Sequence, residues 1–290
     1  MKSTGVTKKK FPHKKKGSAS REWIGWILTV IALVTIAAAA TGFYFRYDIL
    51  RMLRNKGNHM KVIEESGQIT LHGIRNREIL ARHIDKVFGI DVSHYQEKVD
   101  WKKVSWIYDE FPVNFVILRA TMGWNGKDVT FSSNWSALRD SRMIRGAYHY
   151  YRPDEPSVEQ AENFIQSVRL IPGDLPPILD IETLPKVQSM DRLKIGLQNW
   201  LDIVERHYGV RPIIYSGQHY YEKYLEQQFK DYTVWVANYN HRIRDPKKHW
   251  NIWQFTEKGY AKGIKGEVDV NIFNGDLEDF NRLRIKAVRQ

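Results

Sequence analysis

The sequence predicts an α/β fold, a parallel sheet closed into a (β/α) barrel and preceded by one N-terminal transmembrane helix. Three observations carry this. From residue 87 onward, short apolar runs rich in β-branched and aromatic residues alternate with longer amphipathic stretches, the pattern of a parallel sheet covered by helices. There are eight such runs, the number that closes a barrel. Upstream, residues 23–45 (WIGWILTVIALVTIAAAATGFYF) contain no charged side chain.

The N-terminal third is read first from charge. The formal net charge is +12. Residues 1–22 hold Lys2, Lys8, Lys9, Lys10, Lys14, Lys15, Lys16 and Arg21 against Glu22 alone, a balance of +7, so the remaining 268 residues carry only +5. That distribution argues against nucleic acid as a partner, since the globular part is only mildly basic. The 23-residue run spans about 34 Å at ~1.5 Å per residue, enough for a hydrocarbon core of ~30 Å. Trp23 and Trp26 at one end, and Phe43, Tyr44 and Phe45 at the other, suit the two interfaces of a lipid bilayer. The basic tail keeps the N-terminus cytoplasmic by the positive-inside rule. The expectation is a single-pass membrane protein: a cytoplasmic tail (1–22), a transmembrane helix (23–45), a partly helical juxtamembrane stalk (46–86) and an extracytoplasmic domain (87–290). A cleavable signal peptide ending in the alanine run at 37–40 is the alternative. There are no cysteines, which excludes disulfides and thiolate metal sites.

In the domain, the candidate strands are 87–91, 115–120, 144–150, 177–180, 212–216, 233–237, 252–255 and 268–273. Helical candidates lie near 101–109, 135–142, 157–168, 190–208 and 218–228. The last three strands follow one another through shorter or irregular connections, and a doubly wound open sheet is the alternative architecture.

Barrel enzymes place their chemistry at the C-terminal ends of strands, and acidic residues stand there. Asp91 ends VFGID, Asp180 and Glu182 end PPILDIE, and Asp269 falls within VDVNIF. Asp180 and Glu182 are the most informative pair. Side chains two apart on a strand share a face, about 6.5 Å apart at a ~3.3 Å rise, so both carboxylates enter one site. Like charges at that range raise the pKa of one and leave the other ionised. Glycoside cleavage needs that division: an acid for the leaving oxygen and an anion for the oxocarbenium-like centre.

At these residues the sequence resembles glycoside hydrolase family 25, the muramidase-type lysozymes. The match rests on FGIDVSHYQEKVDW, FVILRATMG, GAYHYYRP, LPPILDIE, RPIIYSG, VWVANYN and IWQFTEKGYAKGIKGEVDVNIFNG, in that order. The resemblance implies a modified TIM-like barrel of five βα units and three further strands. It also implies peptidoglycan glycan strands as substrate, cut at the β-1,4 bond between N-acetylmuramic acid and N-acetylglucosamine. Carried over, Glu182 is the general acid, and Asp180 orients and stabilises the substrate's 2-acetamido group. Asp91 and Asp269 are the other acidic positions of the cleft floor. Tyr148, Trp235, Tyr239 and Gln254 match substrate-binding, cleft-lining positions. Two departures stand out: Met122 occupies a position that is often acidic, and Glu97 one that is usually Gly. His94 and His149 lie beside motif residues without metal-ligand spacing, so neither a metal nor a cofactor is expected. A catalytically inactive carbohydrate-binding barrel and a chitinase-like hydrolase are the competing readings. The chitinase pattern Asp-x-Asp-x-Glu meets Ile178 at its first Asp.

Overall fold

The structure is a computed structural model and describes residues 70–240, 245–246 and 250–287. The expected cytoplasmic tail, transmembrane helix and most of the stalk lie outside the described residues. Among the described residues no helix is long and apolar enough to cross a membrane.

Among the described residues eleven strands form: β1 (Val87–Val92), β2 (Trp106–Ile107), β3 (Phe111–Pro112), β4 (Phe115–Met122), β5 (Gly126–Lys127), β6 (Ile144–Tyr150), β7 (Ile178–Asp180), β8 (Ile213–Gly217), β9 (Thr233–Ala237), β10 (Ile252–Gly259) and β11 (Val268–Phe273). Neighbouring strands run β1-β11-β10-β9-β8-β7-β6-β4, and a further β1–β4 pairing closes the ring. The result is an eight-stranded barrel rather than an open doubly wound sheet.

Seven barrel strands are parallel. The eighth, β11, is antiparallel to both of its neighbours, which corrects the expectation of a parallel sheet throughout. Only residues 260–267 join β10 to β11, too few to return the chain along the sheet for a parallel start. The reversal puts the first residues of β11 at the rim where the other strands end.

The connections also differ from the expected five βα units. Helices follow β4 (Phe131–Ala137), β6 (Ser157–Ser167) and β7 (Met190–Tyr208), and a helix with a π turn spans 218–229 after β8. The first connection has no α-helix over 101–109. It holds a 3-10 turn (His94–Gln96) and the β2–β3 hairpin. At the hairpin's tip Tyr108 and Asp109 both have positive φ, 55° and 57°. Glu97, at the position where the resemblance expects Gly, has φ 52° and ψ −134°, a conformation that L side chains rarely adopt.

A helix, α1 (Leu71–Arg82), lies within the stretch expected as stalk and packs against the barrel. Thr70 caps α1 by accepting from the Gly73 amide, and Ile79 and Leu80 are buried against the barrel. Asn76, fully buried, donates to the Tyr108 hydroxyl at 2.8 Å and to the Lys258 carbonyl at 3.0 Å.

Strand side chains alternate between faces, and here the inward residues stack in layers. The lower layers are apolar: Val87, Phe115, Ile178, Ile213, Ile252 and Phe273, with Ile117, Tyr215 and Trp235 above. Phe280 of the C-terminal helix Leu277–Leu283 plugs the bottom against Phe115 and Phe273. Gly89 is required there, because a Cβ at that position would stand 2.3 Å from the Phe115 ring. Outward-facing residues form the larger core shared with the helices.

Candidate functional site

The top layer of the barrel interior is polar. Continuing the inward parity of each strand brings up Asp91 (β1), Arg119 (β4), Tyr148 (β6), Asp180 (β7), Gln254 (β10), and Asp269 and Asn271 (β11). All but Asn271 line one cleft of about 460 Å³, together with Glu182, Tyr215, Trp235 and Tyr239. Every site residue named from the sequence therefore meets at one end of the barrel.

Asp91 and Asp269 face each other in register across the β1–β11 ladder. Asp91 Oδ2 accepts from Gln254 Nε2 at 2.8 Å and Asn271 Nδ2 at 2.7 Å. Burial raises the pKa of both carboxyls; Asp91's charge pushes Asp269 further up, while the two amides restrain the rise of Asp91. Asp269 is therefore held the higher of the two and Asp91 the lower.

Asp180 and Glu182 divide by depth. The ladder continues one residue past β7, with Ile181 N donating to the Tyr215 carbonyl, so Glu182 emerges just beyond the strand and is exposed to the cleft, whereas Asp180 is only 4% exposed. Asp180 Oδ1 is buried and has no hydrogen-bond partner. Burial first, then the charges of Glu182 and Asp91, hold the Asp180 carboxyl well above the carboxylate range. Glu182 is also raised, by burial and Asp91, with the hydrogen bond from Asp180 opposing. Desolvation is strongest for the deeper group, so Asp180 is raised further than Glu182.

The expected binding residues have different surroundings. Tyr148 packs edge-to-face on Trp235, with centroids 6.5 Å apart; burial and the neighbouring Asp180 and Asp91 charges raise its phenol well above its ordinary value. Trp235 is only 2% exposed, and its Nε1 donates to Asn271 Oδ1 at 2.8 Å. It forms the floor and holds the amide that holds Asp91. Gln254, 3% exposed, accepts at Oε1 from the hydroxyls of Tyr215 (2.7 Å) and Tyr239 (2.6 Å). Those two donors fix its amide so that Nε2 points at Asp91. Tyr239 is 42% exposed, with its ring in the cleft wall.

Sequence reasoning missed Arg119, Asn271 and Tyr215. Arg119 had a legible signal, a lone cation inside the apolar run FVILRATM. Its Nε donates to Asp128 Oδ2 at 3.0 Å, and its guanidinium lies 5.3 Å from the centre of the Tyr95 ring. It is the charge that opposes the upward shifts of Tyr148 and Asp180. Met122 lines the cleft beside Arg152, whose Nη2 reaches its Sδ at 3.5 Å. His149 is fully buried, and burial pushes its pKa down to about 3. The Thr121 hydroxyl bonds its Nδ1 at 2.7 Å, and its Nε2 donates to Gln160 Oε1 at 3.2 Å. It is a neutral structural histidine.

The comparisons with known proteins agree with this geometry. The model of glycosyl hydrolases family 25 matches residues 90–264. Protein YegX of Escherichia coli O157:H7 is 36% identical over 222 residues, covering 75% of this chain and 81% of YegX. Lysozyme M1 of Streptomyces globisporus is 30% identical over 204 residues, 65% of this chain and 68% of that lysozyme. The structure of a family 25 glycosyl hydrolase from Bacillus anthracis matches with a TM-score of 0.61 at 27% identity, covering 68% of this chain and 93% of the other. With the family model spanning more than half of the chain, and an acidic cleft at the barrel's catalytic end, this protein belongs to glycosyl hydrolases family 25 and is a glycoside hydrolase.

Proposed function

We propose that this chain is a lysozyme-type N-acetylmuramidase that cuts the β-1,4 bond between N-acetylmuramic acid and N-acetylglucosamine in peptidoglycan, with Glu182 as general acid and Asp180 as the partner of the substrate's 2-acetamido group. The observation that supports it best is the unpartnered Asp180 Oδ1, a buried acceptor beside a carboxyl that faces the cleft. An unsatisfied buried acceptor costs roughly 1 to 3 kcal/mol, and an acetamido N–H supplies the missing bond.

The acetamido N–H donates to Asp180, which stabilises the charged form of Asp180 and leaves Glu182 as the protonated member of the pair. Glu182 donates its proton to the glycosidic oxygen as the C1–O bond breaks, and the acetamido carbonyl oxygen closes on C1 from the opposite face. Asp180 stabilises the positive charge developing on the resulting ring. Glu182, now a carboxylate, takes a proton from water, which opens the ring with net retention of configuration.

Leaving-group dependence tests the two roles. Glu182→Gln should lose ~10² to 10⁴ in kcat on peptidoglycan, and an aryl glycoside whose phenol needs no protonation should recover much of that loss. Asp180→Asn should show no such recovery, because every leaving group still requires charge stabilisation at the sugar. Equal recovery in both variants, or full activity of Glu182→Gln, refutes the assignment.

The same reading tethers the barrel outside the membrane through the uncharged run 23–45 after its basic tail. Protease added to intact cells stripped of their wall should digest the domain while the N-terminal tail stays protected. A soluble product beginning near Thr41 would instead establish cleavage after the alanine run.

A further inference from the structure

Helix α1 lies upstream of the stretch matched by the family model, yet it reaches the wall of the cleft. The wall in question is the segment after β9, described at residues 238–240 and 245–246; its Tyr239 is common to the acidic cleft and a neighbouring hollow of about 620 Å³ lined also by Gln218, Glu222 and Asn240. Two side chains of the helix segment hold this loop. Near the start of α1, Arg75 donates from Nη2 to the Asn240 carbonyl and from Nη1 to the Phe255 carbonyl of β10 at 3.4 Å. Just past its end, His83 Nε2 meets the Asp245 carboxylate at 3.2 Å while Nδ1 bonds the Ile79 carbonyl at 2.9 Å. The barrel pins the same loop from beneath, where Trp253 Nε1 donates to the Asn238 carbonyl at 2.9 Å.

From Arg75 a short bonded path leads to the acids. Asn240 follows Tyr239 in the chain, the Tyr239 hydroxyl donates to Gln254 Oε1, and Gln254 Nε2 donates to Asp91. Surface loops are ordinarily the mobile part of a barrel, and this one carries a half-exposed ring whose position fixes both the cleft wall and one of the two donors that orient Gln254. The other donor, Tyr215, sits on strand β8, so releasing the loop loosens the wall more than it loosens Asp91.

We propose that α1 is a working part of the substrate cleft, and that Arg75 is a positioning residue that acts through the 238–240 backbone to hold Tyr239 against the glycan. The proposal rests on the muramidase reading for its substrate but not for its geometry, and the test separates the two. It compares the full chain with Arg75→Met, which keeps an unbranched apolar stem and removes the donors, with Arg75→Lys, which keeps one donor, and with Glu78→Ala, which breaks only the exposed α1 pair between Glu78 and Arg82. The first readout is amide hydrogen exchange. The Asn238 and Asn240 amides are both bonded, and their exchange should quicken by about 10-fold in Arg75→Met, less in Arg75→Lys and not at all in Glu78→Ala. The second is kinetic: KM for soluble glycan fragments should rise by about 5-fold in Arg75→Met with kcat within about 2-fold, since the acid pair is untouched. Combining Arg75→Met with Tyr239→Ala should raise KM no further than Tyr239→Ala alone, because Arg75 acts through that ring. Unchanged exchange at 238–240, quickened exchange spread evenly over the barrel, or fully additive KM effects would overturn the proposal. If the parent chain cuts no glycan, the muramidase reading fails while the exchange result still decides the clamp.

Discussion

Asp269 shows how strongly place governs the chemistry of a residue. In sequence it is one of three acids in EVDVNIFNGD. In the barrel it is the more strongly raised member of a buried pair, because desolvation and the facing Asp91 both oppose its charge. The consequence for stability has a definite sign. Above the ordinary carboxylate range the unfolded chain has released this proton and the folded chain retains it, so the folded state binds more protons and stability falls as pH rises. Asp180, raised by the same kind of burial, contributes in the same direction. Asp269→Asn keeps an N–H donor toward Asp91 and has no proton to lose. Urea unfolding at several pH values should therefore show a shallower decline toward alkaline pH in Asp269→Asn than in the parent, and identical slopes would contradict the assigned proton. The four carboxylates could be read from the sequence because each ends or begins an apolar run. The relative depths within each pair could not, since only the closed barrel defines them. Arg119 was legible in principle, as a cation within a buried strand; Asn271 and Tyr215 carry no such signal, being ordinary residue types until their partners are known.

Elements were legible where local pattern and tertiary contact agree. The long helix Met190–Tyr208 has a Ser189 cap and a left-handed Gly209 at its end, and its sequence shows both signals. The stretch 101–109 has helix-like apolar spacing, but non-local bonds override it. Ile107 bridges to Ala261, Tyr108 N donates to the Tyr260 carbonyl, and the positive φ of Tyr108 and Asp109 forms a hairpin tip. The direction of β11 is invisible in its own residues and follows instead from the short connection before it. Helix α1 falls in the stretch expected as a partly helical stalk, and its attachment to the barrel was not legible because its stabilising contacts come from far along the chain. Asn76 Nδ2 bonds Tyr108, Thr256 and Lys258, and Asn76 Oδ1 accepts from Arg75. Removing this buried amide strands several partners, so Asn76→Ala should cost roughly 1 to 3 kcal/mol, measured as a lower urea midpoint with an unchanged slope. A loss within experimental error would show that α1 adds little to the barrel.

At the scale of the whole molecule, the barrel interior is graded from an apolar plug at Phe115, Phe273 and Phe280, through Tyr215 and Trp235, to a charged top layer. The gradient explains why the site can hold raised carboxyls without collapsing the fold. Its lower layers supply the hydrophobic burial, its middle aromatic layer supplies the bonds that aim Gln254 and Asn271, and only the top meets water and substrate. The antiparallel β11 completes that top by delivering Asp269 to the rim where the parallel strands end. We propose that this rim cuts peptidoglycan on the muramic acid side. The most direct measurement is digestion of purified peptidoglycan by the full chain, followed by borohydride reduction and mass analysis of the new ends. Reduced N-acetylmuramic acid is the predicted product; reduced N-acetylglucosamine, or no new ends from a chain that still binds the glycan, would contradict it.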